Sequence, residues 1–474
     1  MPDNPTLFDH SALPVEKKSA GPPNRMNDLK YGDWMKFQKS FFRFVGWDSL
    51  LKETVLFFTK EQWENGEYSR TLLCGFSDVP TAFGKRILTT YDSSDVELCL
   101  DFVGSLPPDP FDFVFMNLTQ LTAAWYAKNI STLKKMFSQL AELLRPGRYA
   151  GLVIDFKNED SFPLPWAVAQ LGRPFLKLRD ERVGLVSDEL CRYCLFFENK
   201  PESNDGEEWL LNNLQVSVNK TVPRWIFPKS PPRKPDEISH PAKFPERLVT
   251  EFIELFTEPG NTVLDPMVGT GSAAVAAVRI GRNGYGIELN GEFAAIATRR
   301  LAAEHPVLIG VQAESRIVNG DARKVADFFE KNSTDYSITS PPYWSMLSNE
   351  GSENQRLRRE KSLKTVYSDE VRDVGNVESY KEFVGILTDI YFKVAEVLHP
   401  GGHLTVIVKN VKREHVIYPL AWDLVRILAA TGRPYRYVGT TLWCQDDVSL
   451  KPFAVGIHWV SNTLHTYCLH FERC

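Results

Sequence analysis

Cysteine is scarce and scattered in this 474-residue chain, with seven residues at irregular spacing. An odd, unpatterned set excludes a disulfide framework. The one C-x-x-C, Cys191 and Cys194, has no second pair at zinc spacing. It lies in the apolar run RYCLFF, so it is read as part of a strand. There is no apolar run of about 18 residues, the length that a membrane-spanning helix requires. The N-terminal stretch MPDNPTLFDHSALP lacks the basic segment and apolar run of a secretory signal, so the expectation is a cytoplasmic protein. Positive charge is not in surplus either: 55 Lys and Arg against 60 Asp and Glu give a net charge of −5. Any contact with nucleic acid must therefore come from a local basic patch, because phosphate neutralisation needs Lys and Arg close together.

What remains is ordinary for a globular protein, with 43% hydrophobic and 24% charged residues. The chain is too long for one hydrophobic core. Residues 1–30 are rich in Pro, Asn, Ser and Lys and read as a flexible tail. A first domain over 31–200 starts near the aromatic run Trp34, Phe37, Phe41 and Phe42. Residues 201–238, containing KTVPRWIFPKSPPRKPDE, read as a Pro-rich basic linker. A second domain follows over 239–474. The two domains share a pattern. LAELLRPGRYAGLVIDF (140–156) parallels VAEVLHPGGHLTVIVKN (394–410), each an amphipathic helix, a Leu-x-Pro-Gly turn and an apolar strand. A short strand precedes each, FDFVFMN (111–117) and DYSITS (335–340), and a similar strand closes each, RYCLFFENK (192–200) and HTYCLHFERC (465–474). The first domain is therefore read as a degenerate partial copy, and a tandem duplication as its origin. No glycine loop precedes the first copy, so it is expected to hold only part of the pattern of the second.

From residue 248, strands alternate with helical patterns. LVTEFIELF is a helix, NTVLDP a strand, SAAVAAVRI a helix, GYGIEL a strand and EFAAIATRRLAAE a helix. This alternation predicts an α/β fold, a Rossmann-like doubly wound sheet, with ligands at the carboxyl ends of its strands. The first motif is Asp265-Pro266-Met267-Val268-Gly269-Thr270-Gly271-Ser272. A strand ends in an acid, and a glycine turn opens a helix whose unpaired N–H groups suit a ligand carboxylate. A tight turn without a ligand has the same pattern. The second motif is Gly286-Ile287-Glu288-Leu289, where an acid at a strand end suits ribose hydroxyls. The third is Gly320-Asp321-Ala322, where the acid suits an adenine amino group, although such a turn is common.

The most specific motif is Ser340-Pro341-Pro342-Tyr343-Trp344, directly after the strand DYSIT. Two prolines fix the chain and remove N–H donors, which leaves an acceptor-rich floor. An amino nitrogen on a base is a poor nucleophile until acceptors take its protons. Ser340 Oγ and the Pro341 carbonyl are the candidate acceptors, and Tyr343 is a candidate stacking surface. Trp344 either packs beside the base or supports the loop.

Residues 239–474 resemble the DNA amino-methyltransferase family, which is dependent on S-adenosylmethionine and specific for cytosine N4 or adenine N6. The matching elements are HPAKFPERL (240–248), DPMVGTGS (265–272), GIEL (286–289), GD (320–321), SPPYW (340–344) and KPFA (451–454). The resemblance implies methyl transfer to an exocyclic amine of a flipped-out base in double-stranded DNA, in a restriction-modification setting with a possible cognate endonuclease and no metal. The Ser before Pro-Pro-Tyr implies cytosine N4. The resemblance also implies that Phe244 and its segment close over the cofactor, and that the first domain is a degenerate catalytic half serving DNA binding or support. Met267-Val268 departs from the Phe frequent in the glycine motif, which puts the packing there in doubt. No Pro-Cys dipeptide occurs, so carbon methylation through a cysteine nucleophile is not expected.

For phosphate contact, the candidates are Arg356, Arg358, Arg359 and Lys361, in a polar insertion after the Ser340 motif, and the run from Arg224 to Lys234. A solvated charge run is the plain alternative for both. Adenine N6, RNA or a protein amide remain open as substrates, and so does a DNA-binding scaffold without activity.

Overall fold

The computed structural model describes residues 26–81, 83–108, 110–157, 162–200, 213–217, 220–228, 245–304, 313–342, 344, 373–413, 416–446 and 461–474. The first domain is built on strands β1 (Phe41–Arg43), β2 (Arg70–Cys74), β3 (Ile87–Tyr91), β4 (Phe111–Asn117), β5 (Leu144–Lys157), β6 (Lys177–Ser187) and β7 (Leu190–Glu198). They form one sheet in the order β1-β6-β7-β5-β4-β2-β3. Its helices are α1 (Tyr31–Lys36), α2 (Trp47–Phe58), α3 (Val96–Ser105), α4 (Ala123–Lys128), α5 (Ile130–Leu143) and α6 (Leu164–Gly172). β4 is buried at every position, and its largely apolar sequence, interrupted by Asp112 and Asn117, suits a central strand covered on both faces. Cys191 and Cys194 lie in β7, buried and unlinked.

The second domain holds β8 (Trp225–Ile226), β9 (Thr262–Asp265), β10 (Asn283–Glu288), β11 (Ser315–Asn319), β12 (Thr334–Thr339), β13 (Leu398–Val408), the hairpin β14 (Val411–Arg413) and β15 (Val416–Tyr418), β16 (Tyr435–Cys444) and β17 (His465–Arg473). The large sheet runs β11-β10-β9-β12-β13-β17-β16-β8. β9 to β13 run parallel to one another, β8 is parallel to β16, and β17 is antiparallel to both β13 and β16. The helices are α7 (Glu246–Phe256), α8 (Ser272–Arg279), α9 (Gly291–Ala302), α10 (Val325–Phe328), α11 (Tyr380–Val397) and α12 (Leu420–Leu428). α7 buries Leu248, Val249, Phe252, Ile253 and Phe256, the three-and-four spacing of one helical stripe. α8 lies so close to the sheet that a Cβ on Gly284 would meet the Ala274 carbonyl at 2.4 Å, which explains the small residues on both sides.

The two sheets correspond strand for strand, in the orders β3-β2-β4-β5-β7-β6-β1 and β10-β9-β12-β13-β17-β16-β8. An acid in the central strand fixes the register in each, Asp112 fully buried and Asp335 half-buried. Asp112 Oδ2 accepts the Arg70 N–H at 2.9 Å, and Asp335 Oδ2 accepts the Thr262 N–H at 2.8 Å. The first domain therefore contains more than the expected catalytic half: β2 and β3 stand where β9 and β10 stand. The sequence concealed them because residues 75–86 between them, GFSDVPTAFGKR, form no helix among their described residues and carry no glycine motif. A counterpart of β11 is also absent among the described residues.

The domains meet at equivalent places. Trp166 and Trp422, each the third residue of its helix, stack at 5.7 Å between ring centroids. Phe41 of β1 packs on Phe227 beside β8 at 6.1 Å. Part of the stretch read as a linker lies along the second sheet. β8 pairs with β16, and Gln215 donates to the carbonyls of Ala430, Arg433 and Tyr435.

Candidate active site

β10, β9 and β12 are adjacent and parallel, so their carboxyl ends open on one edge of the sheet. Asp265 ends β9, Glu288 ends β10, and Ser340 follows the last residue of β12. The glycine turn and the proline pair, 70 residues apart in sequence, thus line neighbouring strand ends. The turn requires its glycines. Gly269 and Gly271 have φ of 55° and 90°, and a Cβ on Gly271 would meet that of Ala297 at 3.0 Å. A Cβ on Gly286 would lie 2.7 Å from Val268, so the turn sits directly on β10. Pro266, Thr270 and Ser272 are buried, while Met267 and Leu289 are half-buried.

Glu288 organises the turn. Its Oε2 accepts the Gly269 N–H at 2.8 Å and its Oε1 accepts the Asn290 N–H at 2.9 Å. The Gly271 N–H donates to the Val268 carbonyl at 2.9 Å. The amides at 269 and 271, which the sequence suggested for a ligand, therefore serve the turn itself. Burial pushes the Asp265 carboxyl up to about 7, although the neighbouring Thr339 hydroxyl and the Met267 N–H favour its anion and Glu288 opposes it. Glu288 is also raised, first by burial, with the Asn290 and Gly269 amides working against the shift and the Asp373 carboxylate adding to it. Two carboxylates at adjacent strand ends form a site that favours a cation.

Asp321 is engaged within the protein. Its Oδ1 accepts the Arg323 N–H at 3.0 Å, and the Arg323 guanidinium grips it at 2.7 Å. Ala322 is buried behind it. Pro341 is buried, Ser340 and Pro342 are half-buried, and Tyr343 lies outside the described residues. Trp344 takes the supporting role. It is 3% exposed, donates Nε1–H to the Val377 carbonyl at 3.0 Å and packs on Tyr380 and Tyr418. Arg224, suggested for phosphate, is instead an interior residue. It lies over the Phe156 ring at 4.0 Å and donates to the Lys157 carbonyl. Phe244, Arg356, Arg358, Arg359, Lys361 and KPFA lie outside the described residues.

Three further residues, at or near the site, were missed by the sequence reading. Arg300 donates to the Thr270 carbonyl and to Glu246, both at 2.6 Å, which joins α9 to the glycine turn and to the start of α7. Asp373 caps the turn 374–376 by accepting the Gly375 N–H at 2.8 Å, and faces Glu288. Asn410, just past β13, is buried; it donates to Glu181 at 3.0 Å and accepts the Ala421 N–H at 3.1 Å. Only Asp373 had a trace in the sequence, an Asp opening the turn D-V-G-N. Among the described residues no group of three or more His, Cys, Asp or Glu could hold a metal, and no helix is long and apolar enough to cross a membrane.

An open α/β sheet with a glycine turn after its first strand and a Pro-Pro loop after its fourth defines the class. The family model described as DNA methylase matches residues 193–299, which include the glycine turn and Glu288 and stop before Ser340. Through this segment the chain is similar to DNA amino-methyltransferases. The type II methyltransferase M2.DpnII of Streptococcus pneumoniae is 32% identical over 119 residues, 25% of this chain and 40% of that protein. M.Cfr9I of Citrobacter freundii is 40% identical over 80 residues, 17% of this chain and 27% of that protein. M.BglII of Bacillus subtilis is 32% identical over 80 residues, 17% of this chain and 22% of that protein. The chain spans less than half the length of each of these relatives.

Proposed function

We propose that this protein methylates DNA, transferring a methyl group from S-adenosylmethionine to the exocyclic N4 amine of cytosine, as the modification enzyme of a cytoplasmic restriction-modification pair. The observation that carries the reading is the convergence of Asp265, Glu288 and Ser340 at the carboxyl ends of three adjacent parallel strands. The residues fit the cofactor. The glycine turn is held at the ends of β9 and β10 by Glu288 and Ala297, and the two carboxylates, Asp265 buried and Glu288 half-buried, suit a cationic, hydroxyl-bearing molecule. Asp265, Pro266, Met267, Gly269, Thr270, Gly271, Ser272, Glu288 and Leu289 would hold it, with Phe244, Asp321 and Ala322 at its borders. Bound there, S-adenosylmethionine supplies a methyl group activated by a sulfonium.

The chain's own residues act on the base. A cytosine must leave the duplex to reach a strand-end cleft, at a cost of a few kcal/mol. Ser340 Oγ and the Pro341 carbonyl accept hydrogen bonds from the amine and draw density onto nitrogen, and Tyr343 stacks on the ring. The prolines offer no competing N–H donor. Trp344, locked by Val377, Tyr380 and Tyr418, keeps the loop in place, so the gain comes from positioning and fixed acceptors. Arg356, Arg358, Arg359 and Lys361 would contact the phosphates. The test incubates the protein with methyl-labelled cofactor and mixed DNA, then digests the DNA to nucleosides. N4-methylcytosine is expected. N6-methyladenine would move the assignment to adenine, and label confined to RNA or protein substrates would remove DNA.

A further inference from the structure

The first domain has the sheet for a site of its own, yet that site is closed. With the register fixed by Asp112 and Asp335, Leu73 stands where Asp265 stands, Asp92 where Glu288 stands, and Asn117 where Ser340 stands. Leu73 is fully buried. The Asn117 amide donates to the Gly75 carbonyl at 2.9 Å, and its Oδ1 accepts from the Thr119 N–H at 3.1 Å and hydroxyl at 2.8 Å. A domain with this interior acts through its surface, and one patch of that surface reaches the Ser340 loop.

The patch is Asp180-Glu181 on β6, both buried at the join. Glu181 Oε1 accepts the Asn410 amide at 3.0 Å and the Tyr467 hydroxyl. Asp180 Oδ1 accepts Lys412 Nζ at 2.6 Å, and its other oxygen accepts the Ser461 N–H. Asn410 and Lys412 belong to the segment that leaves β13, and Val406 of β13 pairs with Thr339, the residue before Ser340. The same segment continues as the β14–β15 hairpin. From there Arg413 lies over the Trp344 ring at 5.3 Å and Tyr418 meets its edge at 4.8 Å. A chain of contacts thus runs from Asp180 and Glu181 through Asn410, Lys412 and the hairpin to Trp344, which anchors the loop of Ser340. The glycine turn and Glu288 take no part in it.

We propose that Asp180 and Glu181 are positioning residues for methyl transfer, and that the first domain serves as the fixed support against which the Ser340 loop is held. This rests on the function proposed above. The support acts on the base-binding side of the cleft and leaves cofactor binding alone.

The test uses the full chain. In Glu181→Ala and Asp180→Asn, kcat should fall by about 10-fold or more, as small misplacements of reacting groups do. The affinity for S-adenosylhomocysteine should stay within about 2-fold, since none of its candidate ligands touches the patch. Glu181→Gln keeps an acceptor for Asn410 and Tyr467 and should restore most of kcat. Hydrogen exchange reads the same proposal without turnover. Amides of 411–418 should lose protection in Glu181→Ala while those of 262–302 keep theirs. If the wild type transfers no methyl group to DNA, the exchange result alone decides the support role. Arg413→Ala removes the guanidinium over the Trp344 ring and leaves Asp180 and Glu181 in place, so it decides should the other variants fail to fold: it too should lower kcat at unchanged cofactor affinity. Unchanged kcat and exchange in folded variants, or cofactor affinity falling in step with kcat, would overturn the proposal.

Discussion

At the scale of single residues, Asp265 is where placement and environment part. Its position at a strand end before a glycine turn was legible in the sequence. Its burial was not, because burial comes from α8, β10 and β12 closing around it. With its carboxyl pushed up to about 7, the folded, ligand-free protein holds a proton that the unfolded chain releases near 3.8. For a raised acid, the folded state therefore loses stability as pH rises between those values, by about 1.4 kcal/mol per unit at most. The buried His403 and His470, lowered to about 4 and about 3 by burial, act in the opposite direction on the acid side. The comparison is therefore wild type against Asp265→Asn. The difference in their melting temperatures should move in favour of Asn as pH goes from 5.5 to 8, and a constant difference would show Asp265 to be ionised throughout. A cationic cofactor prefers the carboxylate, so its affinity should rise over the same range, and Asp265→Asn should flatten that rise. Ser340→Ala makes the complementary prediction. Cofactor affinity stays, while kcat falls about 100-fold, the scale of losing one fixed polar partner of the reacting group; equal turnover would remove Ser340 from the chemistry.

At the scale of elements, strands and helices with strong periodicity were readable, and so was the placement of the motifs at the strand ends. β9, β10 and β12, with α7, α8 and α9, follow from apolar runs punctuated by Gly and Pro. β2 and β3 were missed because no helix among the described residues joins them, which leaves no βαβ pattern to count. The linker reading missed β8, a two-residue strand whose sequence, between prolines 223 and 228, reads only as extended chain. Arg224 was misjudged for a related reason: a basic residue in a polar run carries no sign of the aromatic face, Phe156, that buries it. The glycine turn is the element whose requirement is sharpest. Gly271→Ala puts a side chain at φ of 90° against Ala297 and should cost about 1–2 kcal/mol, measured by denaturant unfolding. Gly260, with a similar φ but open space around it, is the control: Gly260→Ala carries the backbone strain without the clash and should cost less.

At the scale of the whole molecule, two matching sheets raise the question of how many cofactors one chain binds. The match in strand order suggests two; the residues at the strand ends argue for one. Asp92 retains an acid at the place of Glu288, but the other requirements have gone. Leu73 offers no charge where Asp265 does, and residues 75–86 provide no helix to follow the strand. Tyr91 and Phe102 stack at 4.3 Å beside the end of β3, and Asn117 is tied to Gly75. A cationic ligand placed there would meet one carboxylate at the surface in place of two in a cleft. Titration of the full chain with S-adenosylhomocysteine should therefore give one site per chain. Glu288→Ala should remove that site entirely, and Asp92→Ala should leave both the stoichiometry and the affinity as they are. A second site that disappears with Asp92→Ala would make the first domain a binding unit in its own right, and the support role assigned to it would then be at most half of its work.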